Sequence, residues 1–270
     1  MRIGGFQKLT LVDFPGKVAA TVFTQGCNFR CGYCHNPELV CPESFGPLIP
    51  VQEVLAELKT RRGKLQGVVI TGGEPTLQKG LVDFIVQVKE LGLAVKLDTN
   101  GSHPEVLAHL INLRIIDYIA IDIKTSIEKY RSFFMSPPNV PPTDGIPPKA
   151  VTSIGGPDSQ ELDSRLPPRF LAKARVGAGM TNIGSKIQES IALIIHSGLP
   201  HQFRTTVVKI LCSPEDFFDI RNAIQGTNHY VLQAFTIAPK MVDPSFGRQD
   251  QYTLKEFESL KDQFEIFKKM

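Results

Sequence analysis

No run of this chain is apolar for anything near the roughly 20 residues that a membrane-spanning helix requires. The opening residues, Met1-Arg2-Ile3-Gly4-Gly5-Phe6-Gln7-Lys8, lack the apolar stretch of a secretory signal. A strong charge of either sign is missing too. The formal net charge is +3, too small a bias to argue for nucleic acid or a membrane surface as a partner. Cysteine is scarce, five residues in 270, and an odd count without a signal segment argues against a disulfide framework. No internal repeat or heptad pattern is present. These absences leave a cytoplasmic location as the expectation. The rest is ordinary for a globular chain with a sizeable core, 42% hydrophobic and 21% charged.

Short β-rich runs alternate with helix-period runs, the pattern of a parallel sheet with crossover helices. Strands are expected at Val18–Phe23, Gly67–Thr71, Ala94–Thr99, Tyr118–Ile123, Phe203–Val208 and Tyr230–Phe235. Several are nearly continuous apolar runs, as strands covered on both faces should be. Helical spacing links Val51, Leu55 and Leu58, then Leu81, Phe84, Ile85, Val88 and Leu91, then Ile187, Ile191 and Ile194. Ser213-Pro214-Glu215-Asp216 reads as a helix start, and a last helix is expected from about Leu254 to Lys268. Six βα units are fewer than the eight of a closed barrel. The expected fold is α/β, an open partial (β/α)6 barrel in a single domain over residues 1–270. One region breaks the rhythm: nine of the 20 prolines lie between Pro137 and Pro168. This insert, about 135–180, is either a solvated excursion or a lid or partner-docking segment.

Four of the five cysteines fall between Cys27 and Cys41, which points to metal or redox chemistry. Cys27-Asn28-Phe29-Arg30-Cys31-Gly32-Tyr33-Cys34 follows the first expected strand as CxxxCxxC. Three thiolates on one loop can each ligate an iron of a cubane cluster, leaving the fourth iron open. An open iron can chelate a substrate or cofactor. Two other readings stay open at this point: a structural zinc site that recruits Cys41 as a fourth thiolate, and a reactive free thiol. His35 is a poorer fourth ligand because it adjoins Cys34.

A second motif, Gly72-Gly73-Glu74-Pro75, stands where the second expected strand ends. Barrel enzymes build their sites at that end of the strands. The two glycines expose backbone carbonyls and Glu74 adds a carboxylate, a set suited to an ammonium group. Paired with CxxxCxxC one strand earlier, this resembles the radical S-adenosylmethionine (SAM) superfamily. The resemblance implies one [4Fe–4S] cluster on Cys27, Cys31 and Cys34. It also implies a SAM amino group at Gly72, Gly73 and Glu74, and an adenine packed on Tyr33.

Further segments narrow it. Gly5-Phe6-Gln7-Lys8-Leu9-Thr10-Leu11-Val12-Asp13-Phe14-Pro15-Gly16-Lys17 leads into the triplet, and Cys34-His35-Asn36-Pro37-Glu38-Leu39 leaves it. With Leu97-Asp98-Thr99-Asn100-Gly101, Ile121-Asp122-Ile123-Lys124 and Phe203-Arg204-Thr205-Thr206-Val207-Val208, the chain resembles the glycyl-radical-enzyme activases. It is similar to the longer type that activates anaerobic ribonucleoside-triphosphate reductase. That resemblance implies a radical SAM oxidoreductase that installs a glycyl radical on a partner enzyme. It implies a flavodoxin or ferredoxin electron donor, and neither nucleic acid nor membrane as partner. Cys41 and Cys212 are too few for a second ferredoxin-type cluster, which favours the reductase or formate-lyase activase type. The alternatives from other classes are a small-molecule radical SAM enzyme, such as a deazapurine-type carbon-skeleton mutase, and a non-catalytic iron–sulfur or zinc protein.

Asp98 and Asp122 end the third and fourth expected strands, so both carboxylates reach one rim, where they repel unless a cation intervenes. The resemblance implies a monovalent cation held by Asp98, Thr99 and Asp122 beside the SAM carboxylate. Lys124 and Arg204 are candidates to pair with that carboxylate, or with the rim acids instead. Asp13-Phe14-Pro15-Gly16 matches an Asp-Gly-Pro-Gly turn near the substrate loop of related activases, with Phe14 in place of glycine. It also reads as a plain β-turn. Gln233 is expected to face the barrel interior. His103, His109, His196, His201 and His229 have no ligand spacing and read as structural.

Overall fold

The computed structural model describes residues 1–130 and 183–267; the proline-rich insert expected at about 135–180 lies outside the described residues. Eight strands form one sheet in chain order. They are β1 (Ile3–Thr10), β2 (Ala19–Thr24), β3 (Gly67–Gly72), β4 (Ala94–Thr99), β5 (Tyr118–Asp122), β6 (His201–Val207), β7 (His229–Ala234) and β8 (Ile266–Phe267). Each neighbouring pair from β2 to β7 is parallel. β1 joins β2 and β8 joins β7 antiparallel. β1 and β8 stand at opposite ends of the strand order, so the sheet is an open, partial barrel.

The six parallel strands are those expected from the sequence, each within a residue or two at its ends. Two edge strands were not expected. β1 carries two glycines and shows three exposed residues in a row, Gln7, Lys8 and Leu9, so it has neither an apolar run nor a clean alternation. The last helix also differs. It spans Leu254–Phe264, then Glu265 turns extended and Ile266–Phe267 pairs with β7.

Helices cover the outer face because each has one apolar stripe. Val54, Leu55 and Leu58 of Val51–Thr60, and Phe84, Ile85 and Val88 of Leu81–Glu90, are buried. Ile187, Ile191 and Ile194 of Ile183–Ser197 are buried in the same way. They share one core with Val68, Ile70, Val95, Leu97, Ile119 and Ile121 from alternate strand positions. Burying each such side chain contributes about 1.5–3 kcal/mol. Helix Pro214–Ala223 starts as expected at Ser213, whose backbone N–H donates to the Asp216 carboxylate at 2.7 Å.

Because strand side chains alternate, the other positions point into the barrel. At the N-terminal end of the strands, Phe14, Ala19, Val69 and Tyr118 form a small cluster of their own. The Phe14 and Tyr118 rings lie 6.1 Å apart, and Gly67 leaves the space the Phe14 ring occupies. This is an aromatic floor. Lys17 donates its backbone N–H to the Phe14 carbonyl at 3.1 Å, so the β-turn spans Phe14-Pro15-Gly16-Lys17, one residue on from the expected Asp13-Phe14-Pro15-Gly16, beneath the barrel. Among the described residues, no helix is long and apolar enough to cross a membrane.

Candidate active site

Parallel strands end at one rim, and β2 to β7 deliver their C-terminal residues to a single cleft of about 420 Å³. Cys27, Cys31 and Cys34 enter after β2, and Gly72 and Gly73 at the end of β3. Asp98, Thr99 and Asn100 follow from β4, Asp122 and Lys124 from β5, and Thr206 and Gln233 from β6 and β7. Cys41 and Cys212 do not line it. Cys41 closes a one-turn helix, Pro37–Val40, and the Cys212 thiol is buried against the Lys124 carbonyl at 3.4 Å. Among the described residues, no three His, Cys, Asp or Glu side chains converge on a point that one metal ion would fill.

The triplet loop is held from both sides. Arg30 donates through Nη1 to the carbonyls of Cys27 and Phe29 at 2.8 and 2.9 Å. Asn28 bonds Ser102 Oγ at 2.9 Å and accepts from Asn100 Nδ2 at 2.9 Å, tying the loop to the end of β4. From the far side, Val242 N–H donates to the Cys34 carbonyl at 3.0 Å and Asp243 N–H to the Gly32 carbonyl at 2.9 Å. The Phe246 ring lies so close over Gly32 that a Cβ there would come within 2.2 Å of it. Residues 242–246 are thus a strap across the loop. Burial pushes the Cys27 thiol up to about 12 and the Cys31 thiol up to about 11, so a metal must displace their protons in order to bind.

The Gly-Gly-Glu turn is bonded onto the same loop. Gly73 N–H donates to the Thr24 carbonyl and Glu74 N–H to the Gly26 carbonyl, both at 2.8 Å. Gly72 has φ +112°, and a Cβ on Gly73 would lie 2.1 Å from the Gly26 oxygen. We expect Gly73→Ala to destabilise the fold by about 1–3 kcal/mol, the usual range for overpacking, as a lowered denaturant midpoint.

Glu74 sits one layer behind the cleft surface. It is fully buried and does not line the cleft. Its Oε1 accepts from Thr76 N at 3.0 Å, Thr76 Oγ1 at 2.5 Å and Thr99 Oγ1 at 2.6 Å, and Oε2 accepts from Asn100 N at 2.7 Å. The carboxylate therefore ties the β3 turn to the end of β4, and the two glycines alone present this turn to the cleft.

The rim acids are paired within the barrel. Arg204 stands behind the cleft wall, with Nε on Asp122 Oδ1 at 2.7 Å and Nη1 on Asp98 Oδ2 at 3.1 Å. Its guanidinium bridges the two carboxylates, the second of the two pairings open to Arg204 in the sequence. Lys124 Nζ lies 3.7 Å from Asp122 Oδ2, and Lys96, which the sequence reading passed over, sits on Asp98 Oδ1. Burial works against the Asp122 carboxylate, but Arg204 and Lys124 outweigh it and hold the carboxyl below its ordinary range.

Residues 21–139 match the family model of the radical SAM superfamily. Over those residues the chain is similar to that superfamily. A protein of Methanocaldococcus jannaschii provisionally named a glycyl-radical enzyme activating enzyme is 42% identical over 132 residues, 48% of this chain and 53% of that protein. The pyruvate formate-lyase-activating enzyme of Clostridium pasteurianum is 34% identical over 132 residues, 46% of this chain and 52% of its own. The chain thus spans about half the length of the curated relatives it matches. SuiB of Streptococcus suis shares the fold, with a TM-score of 0.56 at 14% identity over 90% of this chain and 44% of that one.

A radical SAM domain implies a [4Fe–4S] cluster and SAM as cofactors, and the radical SAM residues of this chain fit them. Three soft thiol donors face one cleft without closing on a single point, and a cubane takes one thiolate per iron. Tyr33 lines the cleft, nine-tenths buried, with its ring edge-on to Phe235 at 6.3 Å and tilted on Phe246 at 6.2 Å. Among the described residues, its buried hydroxyl finds no hydrogen-bond partner of normal geometry. Gln233 is exposed to the same cleft. Asp13, by contrast, accepts from Thr21 Oγ1 at 2.9 Å beside the aromatic floor, at the mouth opposite the cysteines. The histidines read as structural include His103, bonded to Ser102 Oγ at 2.9 Å, and His201, bonded to Thr227 Oγ1 at 3.1 Å.

Proposed function

We propose that this chain is a glycyl-radical-enzyme activase and that its partner is an anaerobic ribonucleoside-triphosphate reductase. The observation that carries the reading is the shared rim: three thiols and a glycine turn, from neighbouring strands, face one cleft. Relatives named as activases match this same part of the chain. In this reading Cys27, Cys31 and Cys34 hold one cluster and leave an iron open. Bound there, cluster and SAM supply the chemistry, a one-electron reductive cleavage of a carbon–sulfur bond followed by hydrogen abstraction.

The chain's own residues bind, orient and exclude water. The Gly72 and Gly73 carbonyls receive the SAM ammonium, and Lys124, which lines the cleft, pairs with its carboxylate. Tyr33, braced by Phe235 and Phe246, offers its hydroxyl and ring edge to the adenine. Glu74 and Arg204 act one layer back, holding the turn and the acids in place. The aromatic floor of Phe14 and Tyr118 shuts water out from below. A target glycine would arrive on an extended segment across the strand ends, and a flavodoxin or ferredoxin would supply the electron.

The test is to mix the anaerobically reconstituted protein, reductant and SAM with an anaerobic ribonucleotide reductase from the same organism. A glycyl doublet in electron paramagnetic resonance, growing as SAM is consumed, is the expected result. A short peptide carrying the target glycine should compete. Ready SAM cleavage with no signal in any glycyl-radical partner would defeat the activase reading and favour a small-molecule substrate.

A further inference from the structure

The inside of the barrel carries a ladder of charge beneath the cleft. Lys96 and Asp98 are two positions apart on β4 and so share its inner face. Asp122 pairs in register with Arg204 across β5 and β6. Arg204 spans both acids, and Lys124 tops the column. Each of the four carboxylate oxygens therefore faces a cation of the protein: Asp98 Oδ1 meets Lys96, Asp98 Oδ2 and Asp122 Oδ1 meet Arg204, and Asp122 Oδ2 meets Lys124.

Lys96 is the unusual member. Only 1% of its side chain is exposed, and a lysine is almost never so deeply buried unless it is paired. Its Nζ lies 6.0 Å from the centre of the Tyr118 ring, on top of the aromatic floor, so it is sealed from below and faces Asp98 above. An ammonium in that position does for Asp98 what a small monovalent cation would do. It differs in being covalently tethered, so it cannot exchange with the solvent.

We propose that Lys96 is a built-in counter-ion for Asp98, so that the cofactor pocket assembles without an exchangeable alkali cation. Lys96 is then a positioning residue, acting on the pocket through Asp98 and Arg204. Removing its charge while keeping its bulk, as in Lys96→Met, leaves one Asp98 oxygen facing an apolar floor without compensation. A dissociable cation then becomes useful.

The experiment compares the parent protein with Lys96→Met, and with Lys96→Arg as the charge-keeping control. Each is examined in sodium, potassium and choline chloride at equal ionic strength. Thermal melting needs no cofactor, whereas SAM affinity, measured on the reconstituted protein, rests on the SAM site proposed above. The parent should melt alike and bind SAM alike in all three salts. Lys96→Met should melt lower in choline and be raised selectively by sodium or potassium. Its SAM affinity in choline should be weaker by roughly tenfold and recover with the alkali cation. Lys96→Arg should stay insensitive. Alkali dependence in the parent, or a Lys96→Met protein no more cation-sensitive than the parent, would overturn the proposal. If Lys96→Met does not fold, the parent's own response to the three salts decides. A parent that binds no SAM in any salt would defeat the SAM site, and melting alone would then decide on Lys96.

Discussion

Replacing Cys27, Cys31 or Cys34 by alanine is expected to abolish cluster assembly, whereas Cys41→Ala and Cys212→Ala should keep it. Anaerobic reconstitution of the parent with iron and sulfide should give about four irons per chain and a reducible cubane signal. The three single variants should return neither. The contrast rests on position: the first three thiols line the cleft and the other two do not. Cys212 is fully buried against the Lys124 carbonyl, so its replacement should lower stability slightly without touching iron content. Loss of the cluster in Cys41→Ala would show a closed four-thiolate site and remove the open iron on which the proposed chemistry depends.

Glu74→Ala should be among the most damaging single changes in the domain, and the damage should appear first in stability. The substitution strands four donors, two on Thr76 and one each on Thr99 and Asn100, that now point at one buried carboxylate. A buried group left unsatisfied costs about 1–3 kcal/mol. The total is on the order of 3–5 kcal/mol if the turn relaxes only in part, a large share of a typical domain's stability. Denaturant unfolding would measure it. Glu74→Gln keeps the shape and one good acceptor oxygen, so it should recover much of the loss. If Glu74→Ala unfolds at the parent's midpoint yet loses SAM binding, the carboxylate acts on the ligand directly and the strut reading is wrong.

The two outcomes for Glu74 mark where sequence reading stopped. The Gly-Gly-Glu-Pro motif identifies the turn, but the partners of the carboxylate come from the end of the next strand, some 25 residues on. No local pattern connects them. The cysteines were legible as a group because they are local, three thiols on one loop. The six parallel strands were legible because strands covered on both faces must be apolar nearly throughout. β1 escaped because its two glycines and three exposed residues in a row leave no apolar pattern, and β8 because two residues carry no periodicity. Helix Pro104–Asn112 also went unmentioned, although Leu107 and Leu110 have helical spacing. Lys96 could have been found: in Ala94-Val95-Lys96-Leu97-Asp98, period-2 reading puts Lys96 and Asp98 on one face. The bridging of two acids by Arg204 could not, since it depends on the register between β5 and β6.

The strap over the cysteine loop sets an order of events during synthesis. Cys31, Gly32 and Cys34 leave the ribosome early, yet the N–H groups of Val242 and Asp243 that fasten their loop come after nearly every other strand. Contacts between such distant parts of a chain form late. Until they form, the thiols sit on a loop tied only to its β2, β3 and β4 neighbours. The finished form of the loop therefore has to wait for the far end of the sheet. A nascent chain stalled before Pro244–Arg248 would present three cysteines without the Phe246 ring that covers Gly32, at the stage when oxidation can reach them most easily.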